Sequence, residues 1–274
     1  MENSAVIKNF ARMCNDGWKQ GWHERNGGNL SYRMTKNEVL DCIGDFDRKA
    51  EYKPLGVSAP SFGGEHFVVT GSGKFMRNVQ DAPEKNLCVI QLDPTGSAYR
   101  VVWGLTNGGS PTSELASHIL NHAVKAELTE GECRVMYHAH PANIVAMSYV
   151  LPLTDKAISR ALWQSETESV MVFPQGIGVV GCMVPGSNEL AAISSEKMRI
   201  YDAVVWAHHG LFCSGSSFDS TFGLMHTVEK AAEIYVKVQS MGGAKQKISD
   251  SELMDIAAAH GLDINQAFLE EAAL

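Results

Sequence analysis

Arg134-Val-Met-Tyr-His-Ala-His140 is the stretch on which the fold turns. It reads as a β-strand, and residues two apart on a strand point to the same face. His138 and His140 then stand side by side, as two ligands of one metal ion must. A second strand, Ala203-Val-Val-Trp206, runs directly into Ala207-His-His-Gly210. A third imidazole therefore falls at a strand end, from His208 or His209; spacing alone leaves that choice open. Three histidines with a free fourth position form the donor set of a catalytic rather than a structural zinc site.

The surrounding pattern is α/β. Val6 to Trp22 reads as an amphipathic helix, with Val6, Phe10, Met13 and Trp18 near one face. The loop Glu24–Asn29 ends it, and a polar stretch from Thr35 to Gly64 reads as loops and short strands. Further strands are predicted at Phe67–Thr70, Cys88–Leu92, Ala98–Trp103, Ser169–Phe173 and Gly178–Val180. Helices are predicted from Pro111-Thr-Ser-Glu114 to Leu128, from Pro141 to Val150, from Asp155 to Gln164, after Pro185 and from Ser217 to Met241. The capping-box pattern Ser249-Asp-Ser-Glu252 opens a final helix pair running to the C-terminus. Several strands lie too close in sequence for a crossover helix. The expectation is one domain over residues 1–274, with a mainly antiparallel or mixed central sheet and helices packed on both faces.

The chain of 274 residues carries 31 acidic and 23 basic residues, a formal charge of −8. That balance disfavours nucleic acid or an anionic membrane as a partner, because both need a basic face. It permits a local pocket for a small phosphorylated molecule. No apolar run approaches the 18 residues of a membrane span. The first residues lack a basic start followed by a long apolar run, so no signal peptide is read and a cytoplasmic location is expected. The six cysteines are scattered with no CxxC pair and read as reduced, mostly buried thiols.

Three carboxylates stand near this frame. Glu114, in the first turn of its helix, is either a favourable charge at the positive end of the helix dipole or a general acid/base. Glu166 and Glu168 flank Thr167 before the predicted strand at Ser169, and alternation would put both on one face. His118 and His122, four apart on a helix, form a weaker candidate metal pair. Two glycine-rich loops, Asn26-Gly-Gly-Asn29 and Thr70-Gly-Ser-Gly-Lys74, let backbone N–H groups approach an anion. With Pro111-Thr-Ser113 at a helix N-terminus they can make one phosphate pocket.

In this order, Asn26-Gly-Gly-Asn29, Thr70-Gly-Ser-Gly-Lys74, Pro111-Thr-Ser-Glu114, His138-Ala-His140 and His209-Gly210 resemble the class II aldolase/adducin family. That family includes fuculose phosphate aldolase, ribulose phosphate 4-epimerase and the adducin head. The likeness runs from the first helix nearly to the C-terminus. It implies a zinc-dependent aldol cleavage of a small ketose phosphate, with one Zn2+ held by His138, His140 and His209. It implies Glu114 as catalytic acid/base and Glu168 as a second active-site carboxylate. It places Asn26, Gly28, Asn29, Ser72, Thr112 and Ser113 on or beside the substrate phosphate. It implies a fourfold-symmetric homotetramer with active sites near subunit interfaces.

Overall fold

The computed structural model describes residues 1–269. Its helices are α1 (Ala5–Lys19), α2 (Lys36–Cys42), α3 (Pro83–Asn86), α4 (Leu115–Leu128), α5 (Ala142–Val150), α6 (Asp155–Trp163), α7 (Thr167–Val172), α8 (Asn188–Met198), α9 (Phe218–Ser240) and α10 (Asp250–Ala259). Its strands are β1 (Asn29–Arg33), β2 (Lys53–Pro54), β3 (His66–Thr70), β4 (Leu87–Leu92), β5 (Ala98–Gly104), β6 (Val135–Ala139), β7 (Gly178–Val180), β8 (Ala203–Trp206) and β9 (Gly210–Gly215). They form one sheet in the order β2-β5-β4-β3-β1-β6-β9-β8-β7. Every neighbouring pair is antiparallel except β7 with β8, so the expected mixed sheet is present.

Side-chain alternation divides the core between two faces. Tyr137 and Ala139 of β6, Leu211 and Cys213 of β9 and Val68 of β3 pack toward α1, α5, α6, α9 and α10. On the other face Phe67, Val69 and Ile90 meet Leu115 and Ile119 of α4. Met136, Val204, Trp206 and Phe212 meet Val124 of α4 and Leu190 and Met198 of α8. His138 shares the Met136 side of β6 and so points toward the N-terminal end of α4. Five of the six cysteines are buried and all are free thiols; only Cys182 is exposed.

The structure departs from the sequence reading at definite places. The sequence pattern marks neither of two central strands, β1 and β9. Ser169–Phe173 is not a strand: Thr167–Val172 forms α7, wedged among α6, α9 and α10. There tertiary packing, with Ser169 and Val170 fully buried, overrides the β propensity of Val170 and Val172. The stretch Thr35–Gly64 contains a helix, α2, opened by a capping box between Thr35 and Glu38. Trp18 is exposed beneath the guanidinium of Arg77, and Gly17 takes the buried place on that turn. After α10 the expected second helix is only a 3-10 turn at Gln266–Phe268; its remainder, 270–274, lies outside the described residues.

Helix α5 starts immediately after His140 and Pro141, and Pro141 offers no side-chain cap. Glu229 of α9 replaces it. The Asn143 backbone N–H and side-chain amide donate to Glu229 Oε1 at 3.0 and 2.7 Å, and the Ile144 N–H donates to Oε2 at 3.0 Å. Burial raises the Glu229 pKa, and these donors pull it back down. Glu229→Ala orphans three donors. It should cost about 1.5–3 kcal/mol, the range for hydrogen bonds to a charged group. Unfolding in denaturant measures this, and a variant as stable as the parent would remove Glu229 from the cap.

Candidate metal centre and active site

The sheet register brings the histidines together. His138 and His140 leave the end of β6 on one side, and His209 sits in the turn between β8 and β9. The Nε2 atoms of His140 and His209 lie 3.2 and 3.3 Å from His138 Nε2. One ligand atom from each lies within 4.8 Å of the others. A tetrahedral ion at about 2.0–2.1 Å from each nitrogen needs nitrogens about 3.3 Å apart, so the residues present fit such an ion.

The tautomers agree with that fit. His138 Nδ1–H donates to the Leu211 carbonyl at 3.1 Å, and His140 Nδ1–H donates to Glu24 Oε1 at 2.7 Å. Both rings thus turn a bare Nε2 lone pair inward, the arrangement that second-shell acceptors impose on metal-bound imidazoles. Burial lowers the pKa of His138, and the same cause brings His209 to about 4, so both are neutral donors. Gly210 lets the turn close, because a Cβ there would stand 2.4 Å from the Ala139 carbonyl oxygen and 2.8 Å from the His138 ring.

Of the two histidines that the sequence leaves open, the structure brings His209 to the other two. His208 has φ +63° and leans on α5, with Nδ1 3.1 Å from Ser148 Oγ and its ring 4.2 Å from that of Tyr149. Only His209 joins the triad.

Glu114 stands beside the triad, 5% exposed. Its Oε2 is 3.6 Å from His138 Nε2 and its Oε1 3.8 Å from His209 Nε2. It occupies the N-cap of α4, yet its side chain makes no capping bond. The carboxylate instead accepts the Asn29 amide, Nδ2 to Oε2, at 2.6 Å. Burial raises its pKa, while the Asn29 donor and His140 oppose the rise. A buried carboxylate facing a metal site rather than capping its helix favours the acid/base reading over the helix-dipole one.

The loops expected to hold phosphate meet here. Asn29 opens β1, opposite His138 in the register. The Leu30 N–H donates to Thr70 Oγ1, the Ser72 N–H to the Ser110 carbonyl, and the Thr112 N–H to the Thr70 carbonyl. Gly28 has φ +72°, and a Cβ there would lie 2.7 Å from the His138 carbonyl oxygen, so no larger residue fits. Asn26, Ser72 and Ser113 are exposed at the rim, whereas Asn29 and Thr112 are buried. Lys74 is held by Asn107 Oδ1 at 2.9 Å and the Gly108 carbonyl at 3.3 Å.

Two other expectations turn out differently. Glu166 is the N-cap of helix α7 and Glu168 lies in its first turn, so the expected alternation along a strand is absent; Glu168 is exposed there. Among the described residues Glu168 makes no hydrogen bond with Glu114 or the triad within the chain. His118 and His122, the weaker candidate metal pair, face the sheet rather than solvent. Both are fully buried, and both lie within hydrogen-bond reach of Ser31.

Sequence reasoning missed His23. It is buried, donates Nδ1–H to the Gly27 carbonyl at 2.9 Å and accepts the Tyr137 hydroxyl proton at Nε2 across 2.7 Å. It thereby pins the first glycine-rich loop to β6. The two residues lie 114 apart in sequence, so no local pattern marks the pair.

Residues 8–236 match the family described as the Class II Aldolase and Adducin N-terminal domain, and the chain belongs to that family. The rhamnulose-1-phosphate aldolase of Pectobacterium atrosepticum is 44% identical over 267 residues, 97% of each chain. That of Pectobacterium carotovorum is 45% identical over 260 residues, 95% of each. Among solved structures, a sugar-phosphate aldolase from Thermotoga maritima shares 27% identity at a TM-score of 0.74, covering 87% of this chain and 97% of that one. The chain is an enzyme, and its activity is that of an aldolase.

Two measurements test this site. His209→Ala should abolish stoichiometric metal binding, whereas His208→Ala should leave it intact; the reverse pattern, read by metal analysis of purified protein, would overturn the ligand set. The second is acid stability. Burial lowers the pKa of His118 to about 3 and of His23 to about 4, from an ordinary 6.5. Each binds fewer protons folded than unfolded. The stability each contributes is therefore full above pH 6.5 and is lost as pH falls toward the folded values. Stability should drop between pH 6.5 and 5 by up to about 1.4 kcal/mol per pH unit for each such histidine. A flat profile in denaturant titrations would show that these histidines are not buried and neutral.

Proposed function

We propose that the chain cleaves L-rhamnulose 1-phosphate to dihydroxyacetone phosphate and L-lactaldehyde, as a cytoplasmic homotetramer with one zinc ion per subunit. The observation that carries this reading is the convergence of three imidazole nitrogens beside a buried carboxylate that faces them. The names of relatives 44–45% identical over nearly the whole chain support the substrate. His138, His140 and His209 would hold the zinc, which supplies Lewis acidity toward the oxygens of the ketose when bound.

The chain's own residues have three tasks. Glu114 moves the proton: as the bond between C3 and C4 breaks, the C4 hydroxyl releases its proton to solvent and becomes the aldehyde carbonyl, the bonding electron pair stays on C3 of the three-carbon fragment, and the carboxyl group of Glu114 delivers the proton that ends there. In the synthetic direction it removes the same proton. Its burial keeps bulk water from competing for that transfer. Asn29, Ser72, Thr112 and Ser113, with the backbone around Asn26 and Gly28, hold the phosphate, which fixes C3 relative to Glu114. Glu168 is exposed and, among the described residues, makes no hydrogen bond with Glu114 or the triad within one chain. As the second active-site carboxylate it would act in the site of a neighbouring subunit of the tetramer.

A sibling reading, an epimerase on the same scaffold, shares the metal site and differs in product. Incubation with L-rhamnulose 1-phosphate separates the two: the account predicts dihydroxyacetone phosphate and lactaldehyde, and an epimeric ketose phosphate would refute it. Glu114→Gln should keep zinc and lose about 10²–10⁴-fold in turnover, together with solvent exchange of the C3 proton of dihydroxyacetone phosphate. Near-normal exchange would move the proton transfer elsewhere. Ser72→Ala should chiefly raise KM, by the loss of one bond to a charged group worth about 1.5–3 kcal/mol.

A further inference from the structure

The interface between α4 and the sheet is apolar along most of its length, yet five polar groups run through it. Glu114, His118 and His122 follow at intervals of four on one side of α4. Asn29 and Ser31 follow at an interval of two on the facing side of β1. Four helical residues rise about 6 Å and two strand residues about 6.7 Å, so the two ladders stay in step. All five groups are buried; Ser31, His118 and His122 are fully so.

The hydrogen bonds have a direction. An ionised Glu114 accepts only, so Asn29 must present Nδ2 to it, at 2.6 Å. Asn29 Oδ1 then accepts from His118 Nε2. That leaves His118 Nδ1 as a lone pair, which accepts the Ser31 hydroxyl proton across 2.6 Å. Ser31 Oγ in turn accepts from His122 Nε2 at 2.8 Å. His122 Nδ1, the lone pair at the end of the sequence, has no partner among the described residues. Each donor and acceptor is set by the one before it.

We propose that His118, Ser31 and His122 are positioning residues for the acid/base Glu114, acting through Asn29. Asn29 is the link: one amide fixes the carboxylate beside the triad and belongs to the loop assigned to phosphate. His118 locks which way that amide points, because only its Nε2–H form leaves Nδ2 toward Glu114. Apolar side chains would fill such an interface with no desolvation cost, so five connected polar groups in a helix–sheet seam are not explained by stability. The aromatic neighbours Phe212, 5.0 Å from the His118 ring, and Phe67, 5.2 Å from the His122 ring, restrict both imidazoles.

This inference rests on the acid/base reading of Glu114, and the test keeps the two apart. Imidazole 15N NMR of the unaltered protein should show His118 and His122 as neutral Nε2–H tautomers whatever the substrate is. His118 as the Nδ1–H tautomer would overturn the polarity. Next, His118→Leu, His118→Gln and Ser31→Ala are compared, each zinc-loaded. Gln reaches the Nε2 position and can still donate to Asn29, whereas Leu cannot. His118→Leu should lose 10- to 100-fold in kcat, the scale of a misplaced catalytic group, with KM within about twofold. His118→Gln should recover most of that loss, and Ser31→Ala should fall between. Equal losses in Leu and Gln that track melting temperature, or kcat within twofold of the parent in both His118→Leu and Ser31→Ala, would refute a positioning role. Absence of cleavage by the unaltered protein would refute the functional reading, while the tautomers would still decide the polarity.

Discussion

β6 is hydrogen-bonded between β1 and β9, and the register of those two ladders determines what surrounds the triad. Asn29 lies opposite His138 on one side and Phe212 on the other. From the first pairing follows the contact of Asn29 with Glu114, because α4 packs on the face to which His138 points. From the second follows the bond from His138 Nδ1–H to the Leu211 carbonyl, which turns Nε2 inward. A slip of one residue in either ladder would send His138 to the opposite face of the sheet. The apolar residues that alternate with the site residues, Tyr137 and Leu211 among them, prevent that slip by filling the other core.

Close backbone approach is the second constraint. Gly28 and Gly210 flank β6 from either side, and each leaves room that a methyl group would fill against the 138–140 backbone or its imidazoles. The glycine-rich loop and the His-Gly turn therefore share a function before any ligand is considered. They let two chain segments come near enough for side chains 71 residues apart to share one ion. The polar seam under α4 and the Glu229 cap on α5 extend this rigidity to the elements that carry Glu114 and follow His140. In that way the site is held by buried, hydrogen-bonded groups rather than by surface contacts.

Much of this was legible in the sequence, and the failures have physical causes. β6 and α4 were found because each has a clear period and a definite start, and His138 with His140 followed from strand alternation alone. β1 was missed because all five of its residues are buried, including Asn29, Ser31 and Arg33. A central strand with polar residues on its inner faces shows neither alternation nor a hydrophobic run. β9 follows a tight turn of three residues and begins with glycine, so it was absorbed into the turn. α7 reads as a strand from its β-branched residues, although its conformation is set by the helices around it. Glu114 stands out in the sequence by its place at a helix start alone; what favours acid/base over helix charge is the absence of a capping bond, which only coordinates show. His118 and His122 drew attention as a metal pair because spacing reveals that two residues share a helix face and not what that face meets.

The central claim is that His138, His140 and His209 hold one metal ion next to Glu114. Diffraction data collected at the zinc absorption edge from crystals of the zinc-loaded protein test it most directly. The account predicts a single strong anomalous peak per subunit, about 2.0–2.1 Å from all three Nε2 atoms and beside the Glu114 carboxylate. A peak at His118 and His122, or none between the three Nε2 atoms, would contradict it.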